Sequence, residues 1–206
     1  MKRTLLLCLI APILATGCAS LVTPDVDTST SALKPGVFAL DETHAALTFK
    51  IDHLGFSNYV GRFEVFSANL DLDEQDPEAA SVDAVIDMTS LDIANDAFAD
   101  TLMSDWFKAD DFPKARFTST EVTVTGDNRG LVEGDLTLRG ITQPVTLDVT
   151  FNGGARDLIR GNAYIVGFSA TGTIDRTDYG ITNLSGVITN EVEINIEAEF
   201  VRQSGD

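Results

Sequence analysis

The sequence predicts an all-β domain, one antiparallel sheet of about eight strands carrying a short helical insertion. Three features of the chain predict it. Apolar and polar residues alternate with period two over long runs, and turn-forming segments separate those runs. One segment instead repeats its apolar residues every four positions.

The clearest strands declare their faces. In 47-LTFKIDH-53, Leu47, Phe49 and Ile51 share one side while Thr48, Lys50 and Asp52 take the other. In 141-ITQPVTLDVTF-151, Ile141, Val145, Leu147, Val149 and Phe151 oppose Thr142, Thr146, Asp148 and Thr150. In 188-ITNEVEINIEAEF-200, Ile188, Val192, Ile194, Ile196, Ala198 and Phe200 oppose Glu191, Glu193, Asn195, Glu197 and Glu199. Residues 59-YVGRFEVFSANLDL-72 switch phase near Val65 and Phe66, as a bulge requires. Segments 82-VDAVIDM-88, 116-RFTSTEVTV-124, 131-LVEGDLTL-138 and 162-NAYIVGFSATG-172 complete the count, and 139-RGITQP-144 is a tight hairpin turn. In 95-NDAFADTLMSDWF-107, Phe98, Leu102 and Trp106 recur every four residues behind Asn95, a suitable N-cap. This short helix is expected to pack over the sheet or across one end of it.

One wet face, one dry face and no second helical layer leave a barrel or a sandwich. The last strand has nothing after it to cover an edge, which favours closure onto the first. An eight-stranded barrel is about wide enough to hold one small ligand.

The first residues carry an export signal. Lys2 and Arg3 precede the apolar run 4-TLLLCLIAPIL-14, which has signal-peptide length and is too short to span a bilayer. The stretch 14-LATGC-18 resembles the lipobox of bacterial lipoproteins, with Ala15 where that pattern usually has Leu. Residues 1–17 are therefore expected to be a lipoprotein-type signal peptide and Cys18 the lipidated new N-terminus. Acyl chains there, palmitate among them, supply membrane affinity of about 0.8 kcal/mol per buried methylene. Ala19, rather than Asp, resembles the pattern of lipoproteins sent to the outer membrane, facing the periplasm of a Gram-negative cell. Without lipidation the protein is expected soluble in the periplasm. Residues 18–35 are small, polar and aperiodic, so a flexible tether reaching at most about 60 Å is expected. Residues 36–206 are then the barrel domain.

Composition excludes several roles. Cleavage before Cys18 removes Lys2 and Arg3 and no acid, so the formal charge of −18 falls to −20. Such a chain repels phosphate backbones, and nucleic acid is a poor partner. Cys8 leaves with the signal peptide, so no internal disulfide can form. No nucleophile elbow, phosphate-binding glycine loop or zinc-protease motif occurs, so no enzyme activity, catalytic residue or cofactor is expected.

The two histidines invite a metal reading. His44 and His53 are an odd offset apart, so on a regular strand they face opposite sides, and only a bulge between them would bring them together. No metal site is expected. His53 shares the parity of Phe49 and Ile51 and is predicted to point inward near a strand end, as a satisfied polar group or a headgroup contact. His44 is predicted at a turn or rim, bonded to backbone. The acidic run 71-DLDEQDPEAAS-81 starts like a calcium loop but has Asp76 where Gly is required and Val82 where Glu is required. Arg176, Asp178 and Tyr179, beside Asp175, are candidates to cap a ligand headgroup at the rim; the competing reading is a turn held by local salt bridges.

Several segments together resemble the YceI-like family of exported bacterial proteins. They are 41-DETHAALTFKIDHLG-55 with 60-VGRF-63, 104-SDWFKADDFPKARFTST-120, 134-GDLTLRGITQPVTL-147 and 168-FSATGTIDRTDYGI-181. The resemblance spans nearly all of 37–202. It implies a lipocalin-like antiparallel barrel with an elongated apolar cavity, and binding or carriage of a long-chain amphiphile of polyisoprenoid or fatty-acyl type. Phe49, Ile51, His53, Phe63, Phe98, Leu102, Trp106, Leu138, Leu147, Tyr164, Phe168 and Phe200 are then expected to line that cavity. Ala163 and Gly167 are positions where Trp would block it, if they line the barrel. One departure is that Thr101 precedes Leu102 where the family usually has His. The competing reading is an envelope interaction module whose barrel is filled by the same side chains. The sequence leaves a homodimer open.

Overall fold

The computed structural model describes residues 23–73 and 76–203; Cys18 and the signal peptide lie outside them. Ten strands form one sheet: β1 (Gly36–His53), β2 (Ser57–Phe63), β3 (Phe66–Leu72), β4 (Ser81–Asp87), β5 (Leu91–Ile93), β6 (Lys114–Gly126), β7 (Arg129–Leu138), β8 (Ile141–Asp157), β9 (Ala163–Asp175) and β10 (Glu191–Arg202). Every pairing is antiparallel. β2 and β3 both pair with β1, and β4 and β5 pair with β3 and β2 in turn, so each couple is one bent stave. Eight staves result. β10 pairs with β1 from Phe38↔Arg202 to Lys50↔Glu193 and closes the barrel, as the uncovered last strand predicts.

The phase switch near Val65 is the corner between β2 and β3. The chain turns there without losing its hydrogen bonds. Glu64 N–H donates to Ser90 O, and Val65 O accepts from Asp87 N–H. The β7–β8 hairpin turn is Arg139–Gly140, with φ of 53° and 73° at its two central residues. Two positive φ values in a two-residue loop suit the twist of the flanking strands.

The helical insertion is a single α-turn, α1 (Asp96–Thr101), continued by a π-turn over Leu102–Trp106. Asn95 caps it, its side chain accepting from Phe98 N–H at 3.1 Å. The wider π-turn carries Phe107 N–H to Leu102 O at 2.8 Å, and Leu102 and Trp106, four residues apart, share the face that lines the interior.

The barrel has two unlike ends. One gathers the β1–β2 turn, the helical insertion and the β9–β10 connection. The other gathers the start of β1 and the β8–β9 turn, where Phe38, Phe151, Val166 and Phe200 pack into a buried cluster. The preceding segment, expected to be a flexible tether, packs on this second end. Asp27 and Gly154 exchange backbone hydrogen bonds, Ala32 is buried, and Tyr164 O–H donates to Ala32 O. The aperiodic sequence concealed this because the contacts are made by backbone and by two small apolar residues.

Outward positions carry the charge, including the ion pairs Lys50–Glu193 and Lys114–Asp87. The Lys114 ammonium, with help from Thr89, lowers Asp87 to a pKa of about 2, against 3.8 ordinarily. Because the folded value lies below the unfolded one, the pair stabilises the fold above pH about 4 and is lost as pH falls through 2. Asp87→Asn is expected to cost up to about 1 kcal/mol at neutral pH. Urea unfolding of both proteins across the acid range should show that gap closing towards pH 2.

Candidate functional site

The closed sheet is hollow. Its interior holds a cavity of about 450 Å³ with almost wholly apolar walls, within the range of about 300–1,000 Å³ for small-molecule sites. At one end the walls reach Thr30, Pro77, Val124 and Arg129; at the other they reach His53, Tyr59, Leu184 and Ile188. Large inward side chains lie along the wall over inward glycines. A Cβ at Gly61 would meet the Phe49 ring at 2.5 Å, one at Gly134 the Phe117 ring at 2.4 Å, and one at Gly172 the Leu147 side chain at 2.7 Å. The missing side chains let these groups fold against the sheet instead of across the lumen.

Eleven of the twelve residues predicted to line the cavity do so: Phe49, Ile51, His53, Phe63, Phe98, Leu102, Trp106, Leu138, Leu147, Phe168 and Phe200. Tyr164 does not. It has inward parity but lies past the cavity's end, sealed against the N-terminal segment by its bond to Ala32. Ala163 and Gly167 do not line it either. A Cβ on Gly167 would approach Asn152 on the outer side, whereas Phe168 and Ala170 are inside.

Other lining residues were expected on apolar strand faces but not assigned to the cavity. Val145, Val149, Phe151, Ile194 and Ile196 share the parity of predicted neighbours and were available by that rule. Thr30 and Leu33 also line it, and the aperiodic segment that holds them offered no such signal.

Of the three headgroup candidates, only Arg176 reaches the cavity. It sits in a 3₁₀ turn (Arg176–Tyr179) closed by left-handed Gly180 at φ 71°. Asp178 is exposed away from the wall. Tyr179 is 1% exposed, packed with Met88, Leu138 and Ile181, because the turn points its ring into the core. Burial pushes its phenol up to about 12, and its hydroxyl has no hydrogen-bond partner among the described residues.

Arg176 is itself only 3% exposed, and its bonds go to neutral oxygens. Nε donates to Thr189 O at 3.2 Å, Nη1 to Ile181 O and Asn183 O at 2.7 and 2.8 Å, and Nη2 to Asn190 Oδ1 at 3.3 Å. The turn is therefore held by carbonyls around an arginine rather than by salt bridges. Burial pulls the Arg176 pKa below its ordinary value and Asp175 opposes this; a guanidinium stays charged regardless. The guanidinium lies 5.7 Å from the Trp106 ring centroid, and Trp106, Phe98 and Tyr59 follow in edge-to-face contacts of 6.1 and 6.0 Å. A cation and three aromatic rings thus converge beside one mouth of an apolar cavity.

The histidines separate. Both are exposed, but His53 lines the cavity at its mouth, 6.4 Å from the Tyr59 ring, while His44 lies on the outer side by Asp41 and Glu199. β1 does carry a bulge, between Leu40 and Ala45, but it leaves His44 outside. There His44 bonds to the side chains of Asp41 and Thr43 rather than to backbone as expected. Asp41, His44 and Glu199 present potential metal-ligand atoms within 4.8 Å of one another. The Arg160 guanidinium already holds the two carboxylates, with Nη1 3.0 Å from Asp41 and 2.7 Å from Glu199, and its Nε pairs with Asp157 at 2.7 Å. Thr101, at the position of the family's usual histidine, bonds to Ala97 O and is exposed.

A closed eight-stranded antiparallel barrel around an apolar cavity is the architecture of lipocalin-like proteins. Residues 38–200 match the YceI-like domain, and the chain belongs to that family. It is 38% identical over 162 residues to protein YceI of Escherichia coli, covering 78% of this chain and 83% of that one. The structure is similar to the YCEI protein of Campylobacter jejuni, with a TM-score of 0.66 and 29% identity over 75% of this chain and 91% of that chain. It also shares its fold with a polyisoprenoid binding domain from Saccharophagus degradans, with a TM-score of 0.61 and 17% identity over 82% and 100% of the two chains.

Two outcomes follow from this geometry. Tyr179→Phe removes a buried hydroxyl that bonds to nothing, so its melting temperature is expected to equal or exceed that of the wild type. Phe49→Asp places an unpaired carboxylate on the cavity wall and is expected to cost several kcal/mol. Lys50→Ala, one residue along and facing water, should stay within about 1 kcal/mol. Denaturant titration of both variants checks the contrast, and equal costs would show that the β1 faces are misassigned.

Proposed function

We propose that this protein binds and shields a long-chain amphiphile, of polyisoprenoid or fatty-acyl type, for carriage or storage in the cell envelope. The observation that carries this reading is the continuous apolar cavity inside a closed barrel. Its walls offer a chain dispersion contact along its length, with about 25 cal/mol gained per Å² of apolar surface removed from water. The polyisoprenoid-binding domain that shares the fold supports the ligand class. A filled-barrel interaction module fits the hollow interior poorly. The amphiphile's polar end would lie by Arg176 and the aromatic rings, where four of the five guanidinium hydrogens are engaged and one Nη2 hydrogen remains. The role is one of binding, with no reaction assigned.

Organic extraction of protein purified from its native host, followed by mass spectrometry, tests the proposal. A stoichiometric prenyl or fatty-acyl species is expected, and Ala170→Trp, which plugs the lumen, should abolish its recovery. Repeated absence of any such lipid, with no uptake of prenyl or acyl ligands by the purified protein, overturns it.

The proposed location is the periplasmic face of the outer membrane, through acyl chains on Cys18. Cys18→Ser is expected to move the protein into the soluble periplasmic fraction with its melting temperature unchanged, since the buried core clusters are built from residues well beyond it. Wild-type protein recovered soluble with a free Cys18 thiol would show that the anchor is absent.

A further inference from the structure

Apolar side chains at the aromatic mouth continue from the cavity wall into solvent. Lys50 pairs with Glu193, and extending that register three steps sets His53 level with Asn190, so the β1–β2 turn stands beside the 181–190 connection. Leu184 and Ile188 from that connection line the cavity, as His53 does from β1. Leu184 is also 54% exposed, and Val187 beside it is exposed. On the adjoining β1–β2 turn, Leu54 is exposed and Phe56 is 86% exposed at the tip. Leu54 and Leu184 adopt left-handed backbone at φ of 62° and 54°, positions that glycine or asparagine occupies with less strain.

The opposite end exposes apolar residues too, Leu158 and Ile159 on the β8–β9 turn. Those are cut off from the lumen by the buried cluster of Phe38, Phe151 and Val166. The cavity wall reaches solvent at that end as well, through Val124 beside Arg129, but the aromatic mouth is where exposed apolar side chains adjoin lining ones on two neighbouring loops.

We propose that this collar, formed by Leu54, Phe56, Leu184 and Val187, inserts into the surface of a phospholipid bilayer and passes the amphiphile through the contact. Four side chains on two loop tips suit a soft interface into which they can sink, and the cavity behind them opens there. A second copy of the chain is a poorer occupant. Asp52 and Glu191, level with one another in the β1–β10 register, lie at the base of the collar, and two such faces would press like charges together on chains already at −18. The same acids favour a zwitterionic bilayer over an anionic one. Transfer rests on the carrier reading; docking of ligand-free protein does not.

The test uses the whole barrel in two arms. In the first, ligand-free protein is floated with phosphatidylcholine–phosphatidylethanolamine vesicles, with and without phosphatidylglycerol. Wild type is expected to float with the neutral vesicles and less with the anionic ones. Phe56→Asp with Val187→Asp, neither of which lines the cavity, should weaken flotation by about tenfold or more. In the second arm, an anthroyloxy-labelled fatty acid is loaded and its release to acceptor vesicles is followed. The wild-type rate should rise with acceptor concentration. The double variant should take up the probe equally well but release it at a slow rate independent of acceptor. Absence of flotation together with acceptor-independent release by wild type overturns the proposal. So does a dimer in sedimentation that Phe56→Asp dissolves. Failure to take up any acyl or prenyl probe would sink the carrier reading, while flotation alone would still decide docking.

Discussion

Antiparallel pairing of β1 with β10 is the constraint on which the rest depends. Alternating strands offer two faces, and an open sheet would need a second layer to bury the apolar one. Closure makes that face an interior and leaves, among the described strands, only the three-residue β5 with a partner on one side alone, too short an edge to template association. It also explains how a chain of formal charge −18 folds compactly. Carboxylates such as Glu191, Glu193 and Glu197 fall on outward positions by parity, and the few cations are spent on them there. The same outward charge separates this barrel from those that span membranes, whose outer band is apolar.

Closure alone does not make a cavity. Eight-stranded barrels can be filled solid by their inward side chains, and this one has phenylalanines enough to try. The glycines decide it. Gly61 and Gly134 take inward positions beside Phe49 and Phe117, whose rings occupy the space that a side chain there would fill. Aromatic bulk thickens the wall and leaves the axis open. A side chain at either glycine would push its ring towards the lumen and narrow the site.

The sequence disclosed whatever depends on local alternation. Strand count, faces, the hairpin at Arg139–Gly140 and the Asn95 cap are all local, and all are present. Parity also placed Phe49, Leu147 and Phe168 on the wall correctly. It failed where facing inward and facing the cavity diverge. Tyr164 points inward below the cavity floor, and Tyr179 sits in a turn that no period describes. Docking of Val26 to Leu33 was invisible because backbone bonds from Asp27 and the Ala32 carbonyl leave no apolar pattern. Arg176 was found for its charge, but its main engagement, with the carbonyls of its own connection, belongs to the folded loop alone.

That docked segment bears on how a tethered barrel would work. With Cys18 anchored as proposed, eight Cα-to-Cα steps separate the lipid from Val26, which lies against Gly153 at the end opposite the aromatic mouth. They reach at most about 28 Å. β1 has 18 residues, about 60 Å of strand at about 3.3 Å per residue, and a tilt of about 40° leaves a barrel roughly 45 Å tall. An upright barrel on that leash would turn its mouth away from the membrane holding it. Either the barrel lies over to return cargo to its own membrane, or it stands and presents the collar to whatever faces it across the periplasm. The short leash makes those two geometries exclusive at any moment, so a carrier built this way would load and unload by tilting about its docked N-terminal segment.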